Sequence, residues 1–484
     1  MFDLAQRALD AARAAGADYA DVRLQERREQ ALRWRNGAQQ ESHDTEGFGV
    51  GVRVLVDGAW GFASGNDLRP AAIETVAQRA VEVGRASAQV AHDPVRLAAT
   101  VPVRARWTSP CREDPFTVTF DEKAAILREA ERLLRQVGGV RATSATFQAF
   151  RTHQYFASSD GSEIEQTRTE CGAGMMATAS GNGETQQRSF PMRWEGLYQL
   201  GGFEVIREID LPGNAEQTAR EAVALVNADP CPTDQLDLVI DGSHMALQVH
   251  ESCGHPTEAD RAFGMEAAYA GNTFLTLDKR GAFRYGSDAV TIVADATSAR
   301  GLGTFAYDDE GVPGQAYPLI DRGLFANYLS SRETAPRLGL TDSSGAMRAS
   351  GWNRLPLIRM TNINLNPGDF TLDELIRGVK RGLFLATTKS WSIDDVRLNF
   401  QFATEVGYEI RDGSLGRLLR NCTYQGITPE FWNTCDGVGN RNEWRMWGTL
   451  RCGKGEPSQS MHVGHGTAPA RFRGVRVGIL SEGG

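Results

Sequence analysis

Long hydrophobic runs are missing from this sequence of 484 residues. No segment approaches the roughly 18 uninterrupted apolar residues that a membrane-spanning helix needs, which excludes helical membrane spans. The first residues are equally unsuited to a secretory signal, because Asp3, Arg7, Asp10 and Arg13 interrupt the stretch where an apolar core would be required. We therefore expect a protein that is neither bound to a membrane nor exported through such a signal.

Cysteine and surplus positive charge are also scarce. Seven cysteines, an odd number, are scattered through the chain, which is unlike a disulfide framework and fits reduced thiols in the cytoplasm. The 61 acidic and 52 basic residues give a net charge of −9. This balance provides no overall electrostatic attraction to DNA, RNA or anionic lipid, so we expect no direct binding of nucleic acid.

What is present is the composition of a folded protein, with 41% hydrophobic and 23% charged residues. The length favours two domains. Residues 48–56 alternate between valine or phenylalanine and other residues before Asp57-Gly58, a pattern that predicts a β-hairpin. A predicted helix over 215–227 leads into Asp229-Pro230-Cys231-Pro232, where the two prolines prevent a helix from continuing. We place the domain boundary there, between residues 1–230 and 231–484.

The sequence predicts an α+β fold. The N-terminal domain is mixed α/β, and the C-terminal domain has a β-sheet or barrel-like core that carries the helix of the candidate metal site. This second domain begins with the apolar run Leu236 to Ile240, which predicts a strand. Ser243 then serves as the expected N-cap of a helix that includes Leu247 and His250.

The most informative segment is His250-Glu251-Ser252-Cys253-Gly254-His255. Imidazoles are good zinc ligands, and a carboxylate beside one of them can exchange protons with water at the metal. A spacing of five places the two histidines about 140° apart on a regular α-helix, because each residue turns by about 100°. Pro256 disfavours helical geometry in the residue before it. The sequence therefore predicts a π-bulge or a helix end that brings His255 towards His250.

The stretch HESCGHPTEAD resembles the HExxxH motif of the TldD/PmbA family of metallopeptidases. The resemblance extends in order to GFGVGVRVLVDGAWGFAS, YDDEGVPGQAYPLI and CGKGEPSQSMHVGHG. It implies a zinc ion, one per chain, bound by His250, His255 and Cys452, with Glu251 as the general base or acid. It further implies cleavage of peptides or unfolded proteins, and a homodimer or a heterodimer with a related subunit that encloses the active site.

Several residues have alternative interpretations. Cys253, His462 and His465 are rivals of Cys452 as the third ligand, although a strand surface is the favoured place for the last two histidines. His244 is expected at the helix start and not as a ligand. Residues 308–311 suggest a solvated turn, although their match to the family could place them beside the substrate, and we assign them no catalytic role. Residues 394–398 replace a glycine-containing loop that is common in the family, which leaves substrate selection open.

Two other functions also stay open. A regulatory or binding subunit without catalysis is one, because the family has been named for modulation of DNA gyrase. A metal-dependent amidohydrolase acting on small molecules is the other. Glu251 beside two candidate ligands favours an enzyme over an adaptor, and comparing an intact disordered protein with a dipeptide amide as substrates separates the two kinds of hydrolase.

Overall fold

The first half of the chain is organised around one large, mostly antiparallel sheet. The computed structural model describes residues 1–193, 196–269 and 271–478. Within them the sheet has the order β3-β2-β1-β5-β6-β4, and β7 and β8 also pair with β6. Its strands are β1 Tyr19–Arg35, β2 Ala38–Val56, β3 Ala59–Gly65, β4 Arg104–Thr108, β5 Val140–Ser158, β6 Glu163–Gly181, β7 Glu184–Phe190 and β8 Leu197–Leu200.

The hairpin predicted at Asp57-Gly58 is confirmed. Both residues have positive φ, 50° and 77°, as a type I′ turn requires, and the turn joins β2 to β3. The alternating side chains of β2 explain its pairing, since Val50, Val52 and Val54 are fully buried on one face of the sheet.

Five helices accompany this sheet: α1 Phe2–Ala14, α2 Pro70–Ala88, α3 Phe120–Gln136, α4 Glu204–Ile209 and α5 Leu211–Val226. They cover it in two groups. The helices α1 and α2 share one apolar core with β1, β2 and β3, in which Ala77 packs near Val52. The helices α3, α4 and α5 share a second core with β5 and β6, which includes Leu127 and Phe147.

The second half contains a closed five-stranded barrel, in the order β17-β10-β24-β20-β18 with β18 pairing back to β17. The α+β class and the barrel-like core are thus confirmed. The strand β10 pairs parallel to β17 and antiparallel to β24. The strands of this half are β9 Asp229–Pro230, β10 Asp234–Ile240, β11 Ile292–Asp295, β12 Ala316–Asp321, β13 Leu324–Phe325, β14 Met347–Arg348, β15 Leu357–Ile358, β16 Ile363–Leu365, β17 Arg381–Ile393, β18 Asn399–Arg411, β19 Ser414–Arg420, β20 Thr423–Ile427, β21 Cys435–Val438, β22 Arg445–Lys454, β23 Gln459–Thr467 and β24 Ala470–Val477.

Two elements outside the barrel wall carry the candidate site. They are the helix that follows β10 and the hairpin formed by β22 and β23. The helices of this half are α6 Gly242–Val249, α7 Ala259–Ala262, α8 Thr334–Arg337, α9 Leu372–Arg377 and α10 Thr428–Asn433. Over the described part of the chain, no helix combines the length and the apolar character that crossing a bilayer requires.

The acidic segment Asp308-Asp309-Glu310 joins the two halves, so its interpretation as a solvated turn is wrong. All three side chains are at most 9% exposed. Asp309 Oδ1 accepts a hydrogen bond from Gln154 Nε2 of β5 at 2.9 Å, and Glu310 Oε1 lies 3.2 Å from Arg53 Nη1 of β2. Charges taken out of water need partners. The N-terminal sheet supplies one for Asp309 and one for Glu310, whereas Asp308 accepts backbone N–H groups of its own half.

Candidate metal centre

The helix α6 begins directly after barrel strand β10. Its N-cap is Asp241, whose Oδ2 accepts a hydrogen bond from Ser243 N–H at 2.8 Å. The expectation that Ser243 is the cap is therefore wrong by two residues. Aspartate is an equally good cap, and the sequence pattern did not show that the strand ends before it. The early start places His250 at the C-terminal end of α6.

After α6 the chain widens into a π-helical turn over His250–Gly254, in which the His255 N–H donates to the His250 carbonyl. A short 3₁₀ turn over His255–Thr257 follows. The predicted departure from regular α-helix is confirmed. Because an i→i+5 turn accommodates one extra residue, the two imidazoles come together with ring centroids 4.9 Å apart. The absence of a Cβ at Gly254 lets the Met360 side chain pack against this turn, since a Cβ would lie 2.4 Å from Met360 Sδ.

Three potential metal ligands converge below this turn. One donor atom each of His250, His255 and Cys452 lie within 4.8 Å of one another, and the residues are 7%, 4% and 1% exposed. Cys452 comes from β22, where the register shifts between Thr449 and Cys452. Its Sγ lies 3.8 Å from His255 Nε2. The structure therefore brings Cys452 to the two histidines, although it lies 197 positions after His255 in the sequence.

Each imidazole is oriented by a buried partner. His250 Nδ1 lies 2.8 Å from His465 Nε2, and His465 Nδ1 is 3.3 Å from the Ile363 carbonyl oxygen. His255 Nδ1 lies 3.0 Å from Glu258 Oε2. If the Nδ1 atoms carry the protons, both Nε2 atoms keep a free lone pair that can bind a metal. This arrangement is common among metal-binding histidines. The favoured place of His465 on a strand surface is wrong, because it is 2% exposed.

The electrostatics of the cluster fit a bound cation. Burial alone would hinder ionisation of Cys452, but His250, Arg359 and His255 together lower the pKa of its thiol well below the usual value. Burial lowers the pKa of His255 far below its usual range. For His250, burial is outweighed by the Cys452 thiolate, and the pKa is raised. Two imidazoles and a thiolate are a ligand set that suits zinc.

Glu251 is not part of this donor cluster and borders an adjacent cavity instead. The cavity measures about 280 Å³, and its walls include Trp391, Trp447 and Arg451 together with His250 and His465. Glu251 Oε2 forms an ion pair with Arg397 Nη1. The carboxylate is thus held beside the ligands without taking a ligand position.

Arg397 lies in the turn between β17 and β18, within the segment 394–398. Its φ is 65°, a left-handed conformation that is uncommon for arginine. Asp394 stabilises this turn, since its carboxylate accepts the N–H groups of Leu398 and Asn399. The segment therefore brings a cation to Glu251, a contact that sequence spacing could not indicate.

A buried ionic cluster lies behind His255. Lys454 Nζ is 3.2 Å from Glu258 Oε2 and 2.8 Å from Asp260 Oδ1, and Arg261 Nε is 3.0 Å from Glu266 Oε2. Lys454 follows Cys452 by two residues, so the same strand end supplies both a donor atom and the counter-charge for Glu258. This cluster fixes the carboxylate that orients His255.

The remaining rivals lie elsewhere. Cys253 is fully buried in the apolar core near Tyr285, and burial raises the pKa of its thiol. His462 Nδ1 pairs with Glu170 Oε2 of β6 at 2.5 Å. His244 occupies the first turn of α6, as expected, where it contacts Thr388 and Tyr424, and burial lowers its pKa to about 3. Among the described residues, none of these belongs to the donor cluster.

A buried set of two imidazoles and one thiolate, with a carboxylate at an adjoining cavity, is typical of a metallohydrolase. Family comparisons agree with this class. Residues 20–84, 113–228 and 233–478 match the sequence models of PmbA/TldA metallopeptidase domain 1, its central domain and its C-terminal domain. The chain belongs to the PmbA/TldD family of metallopeptidases.

Two relatives are similar along nearly the whole chain, and a third along part of it. A metalloprotease of Methanothermobacter thermautotrophicus is 30% identical over 464 residues, which is 95% of each protein. A TldD homologue of Haemophilus influenzae, also named a metalloprotease, is 24% identical over 95% of this chain and 93% of that protein. A zinc metalloprotease TldD homologue of Saccharolobus solfataricus is 27% identical over 40% of this chain and 41% of that protein.

Solved structures share the fold at low sequence identity. A Thermotoga maritima protein, named as a candidate modulator of a DNA gyrase, has a TM-score of 0.78 at 18% identity over 99% of this chain and all of that chain. TldE from Thermococcus kodakarensis has a TM-score of 0.70 at 16% identity over 98% of this chain and all of that chain. At these identities the likeness concerns the architecture alone.

Proposed function

We propose that this protein is a zinc-dependent peptidase that cleaves peptides or unfolded protein segments. His250, His255 and Cys452 are the metal ligands, and Glu251 is the general base and acid. The observation that carries the proposal is the convergence of three buried donor atoms within 4.8 Å of one another, next to a cavity bordered by Glu251. The relatives named metalloproteases support the reaction class.

When bound, zinc supplies Lewis acidity and makes water more acidic at neutral pH. The protein contributes the proton transfer. Glu251, only 6% exposed, takes a proton from the attacking water and delivers it to the leaving amine. Arg397 acts on Glu251 through their ion pair, which orients the carboxylate and compensates its charge in a site shielded from solvent.

The cavity also restricts what can reach Glu251. At about 280 Å³ it accommodates a few side chains but no folded domain, and its indole walls, Trp391 and Trp447, suit apolar parts of an extended peptide. An unfolded segment is therefore the substrate we propose. We also propose a dimer, built from two copies or from this chain and a related subunit of the same fold as TldE. A cytoplasmic location is proposed as well, because seven scattered cysteines suit a reducing compartment.

The decisive test separates metal binding from chemistry at Glu251. Glu251→Gln should retain zinc and lose cleavage of a disordered peptide by about two to four orders of magnitude, because an amide cannot accept the proton. Glu333→Gln is the matched control, since Glu333 lies away from the cavity and accepts a hydrogen bond from Trp60. It should cleave like the wild type.

Three substrates extend this test: a disordered protein, a stable folded protein and a dipeptide amide. Cleavage restricted to the disordered protein supports the peptidase, and turnover of the dipeptide amide alone indicates a small-molecule amidohydrolase. A zinc-loaded Glu251→Gln variant that cleaves as fast as the wild type contradicts the assigned role. Zinc-loaded wild type that cleaves none of the three while binding a partner protein indicates a regulatory subunit.

A further inference from the structure

A second cavity lies between the N-terminal sheet and the β22–β23 hairpin. It measures about 300 Å³ and shares no lining residue with the cavity at Glu251. Strands β1, β5 and β6 form one wall, and the segment after β14 and the hairpin form the other. Four arginines line it and define the arginine pocket: Arg27, Arg168, Arg348 and Arg354.

The residues that line the arginine pocket carry an excess of positive charge, although Asp308 and Asp309 border an adjoining small cavity together with Arg168 and Arg348. Glu170 is the one carboxylate among the residues that line it, and this carboxylate is already engaged by His462 at 2.5 Å. The acidic residues at the adjoining segment are engaged too. Asp309 Oδ2 accepts the Ala349 N–H at 2.6 Å and lies 3.9 Å from Arg23 Nη1, outside the pocket lining.

The guanidinium groups have few partners of their own. Within the described residues, Arg168 and Arg354 make no side-chain hydrogen bond or ion pair with another residue. Arg348 donates hydrogen bonds to the carbonyl oxygens of Met360 and Leu302, at 2.7 and 3.2 Å, and lies over the Phe305 ring.

Arg27 is partly engaged. Its Nη2 lies 3.8 Å from Glu29 Oε2 and its Nη1 donates to the Ser350 carbonyl oxygen at 3.3 Å, but its Nε is buried without a hydrogen-bond partner. Arg354 is exposed, whereas Arg168 is partly buried. Because removing a charge from water costs free energy unless the charge is paired, Arg168 is the guanidinium group at which a counter-charge is missing.

The pKa values of two lining residues are shifted in the direction that neighbouring positive charges produce. Burial, together with the positive charges of Arg168 and Arg359, lowers the pKa of Arg348 to about 9. Burial would raise the pKa of Glu170, but His462, Arg168 and Arg27 lower it to about 2. Both shifts have the direction expected where positive charge is in excess.

We propose that the arginine pocket binds an oxyanion, a carboxylate or phosphate group, through Arg168 with support from Arg354 and Arg27. Planar guanidinium groups bind both kinds of group through paired hydrogen bonds. The group can belong to a free small molecule or to the terminal carboxylate of a peptide. Gln25, Thr152 and Ser460 add polar groups to the same walls.

The pocket adjoins the candidate metal centre through the hairpin backbone. Met461, which lines the pocket, is the cross-strand partner of Cys452. Arg359 donates hydrogen bonds to the carbonyl oxygens of both Cys452 and Gln459. The oxyanion site is nonetheless separate from the ligands, so its occupancy does not depend on zinc or on peptide cleavage.

The experiment measures binding by titration calorimetry with the full chain and three probes: inorganic phosphate, a short peptide with a free terminal carboxylate, and the same peptide amidated. At least one of the two anionic probes should bind saturably. Arg168→Gln should weaken that binding by about 10- to 100-fold, the scale of a hydrogen bond to a charged group. Cys452→Ala should bind the probe like the wild type, which excludes the metal centre as the place of binding.

Arg141→Gln is the matched control, because Arg141 is an exposed arginine of the neighbouring strand β5 and lies outside the pocket. Binding of the free-acid peptide but not of its amide identifies a peptide terminus as the source, and binding of phosphate alone identifies a free oxyanion. Absence of saturable binding by both anionic probes overturns the proposal. So does equal affinity in Arg168→Gln and wild type, or an equal loss in Arg141→Gln.

Discussion

The candidate metal centre and the arginine pocket use the same hairpin in opposite ways. At the centre, His250 and His255 each have a buried hydrogen-bond partner, so the donor atoms are oriented before any ion arrives. In the pocket, Arg168 has no such partner within the described residues, although it lines a cavity rich in arginine. The donor atoms of the candidate metal centre are thus oriented by the protein itself, whereas the guanidinium group of Arg168 is left for the oxyanion that we propose.

The largest effect is expected from removing the thiolate of the preorganised site. Cys452→Ala should reduce bound zinc from about one ion per chain to a small fraction after dialysis, because catalytic zinc needs three protein ligands. Metal content is measured on the purified protein. Cys435→Ala, another buried cysteine on β21, is the control and should keep its zinc. Full retention by the Cys452 variant removes this residue from the centre.

A smaller effect is expected from the residue that orients a ligand. His465→Gln should weaken zinc affinity by about 10- to 100-fold, the usual result when an outer partner of a metal-binding histidine is lost. Competition with a chromophoric chelator measures this affinity. His462→Gln on the same strand is the matched control, because His462 pairs with Glu170 in the arginine pocket. An equal loss of zinc affinity in the two variants contradicts the assignment of His465, and not His462, to the candidate metal centre.

The sequence was sufficient where a local rule decides the geometry. Five-residue spacing and Pro256 predicted a departure from the regular α-helix, either a π-bulge or a helix end, and Asp57-Gly58 predicted a β-hairpin. Both predictions follow from backbone preferences over a few residues. The resemblance to a family added Cys452, which the structure brings to the two histidines. The α+β class was likewise accessible from the pattern of strands and helices.

Long-range register explains what the sequence could not show. His465 reaches His250 only because β23 pairs with β22 in one particular register, and Arg397 reaches Glu251 only because a turn adopts positive φ. The burial of residues 308–310 likewise depends on partners more than 150 positions away in the chain. Closure of the barrel likewise depends on pairs of strands that are far apart in the sequence, such as β10 and β24.

The last effect concerns acid stability at the arginine pocket, and it disappears at low pH. The pKa of Glu170 is lowered to about 2 in the folded protein from an ordinary value of 4.5. Its contribution to folding is therefore present above pH 4.5 and is lost as the pH falls towards 2. Urea unfolding at several pH values should show Glu170→Gln less stable than wild type by about 1–3 kcal/mol at pH 7. The gap should shrink below pH 4.5, and a gap independent of pH contradicts this role.

The joint made by Asp308, Asp309 and Glu310 limits how this architecture can be rearranged. Although the candidate ligands and Glu251 all lie after residue 231, the C-terminal half is not a portable module. Separated from β2 and β5, it loses Arg53 and Gln154 as partners of its acidic segment and exposes the sheet-facing wall of its cavities. A chain in which only the N-terminal half is exchanged must therefore keep an arginine and a glutamine at these two positions to retain the contacts.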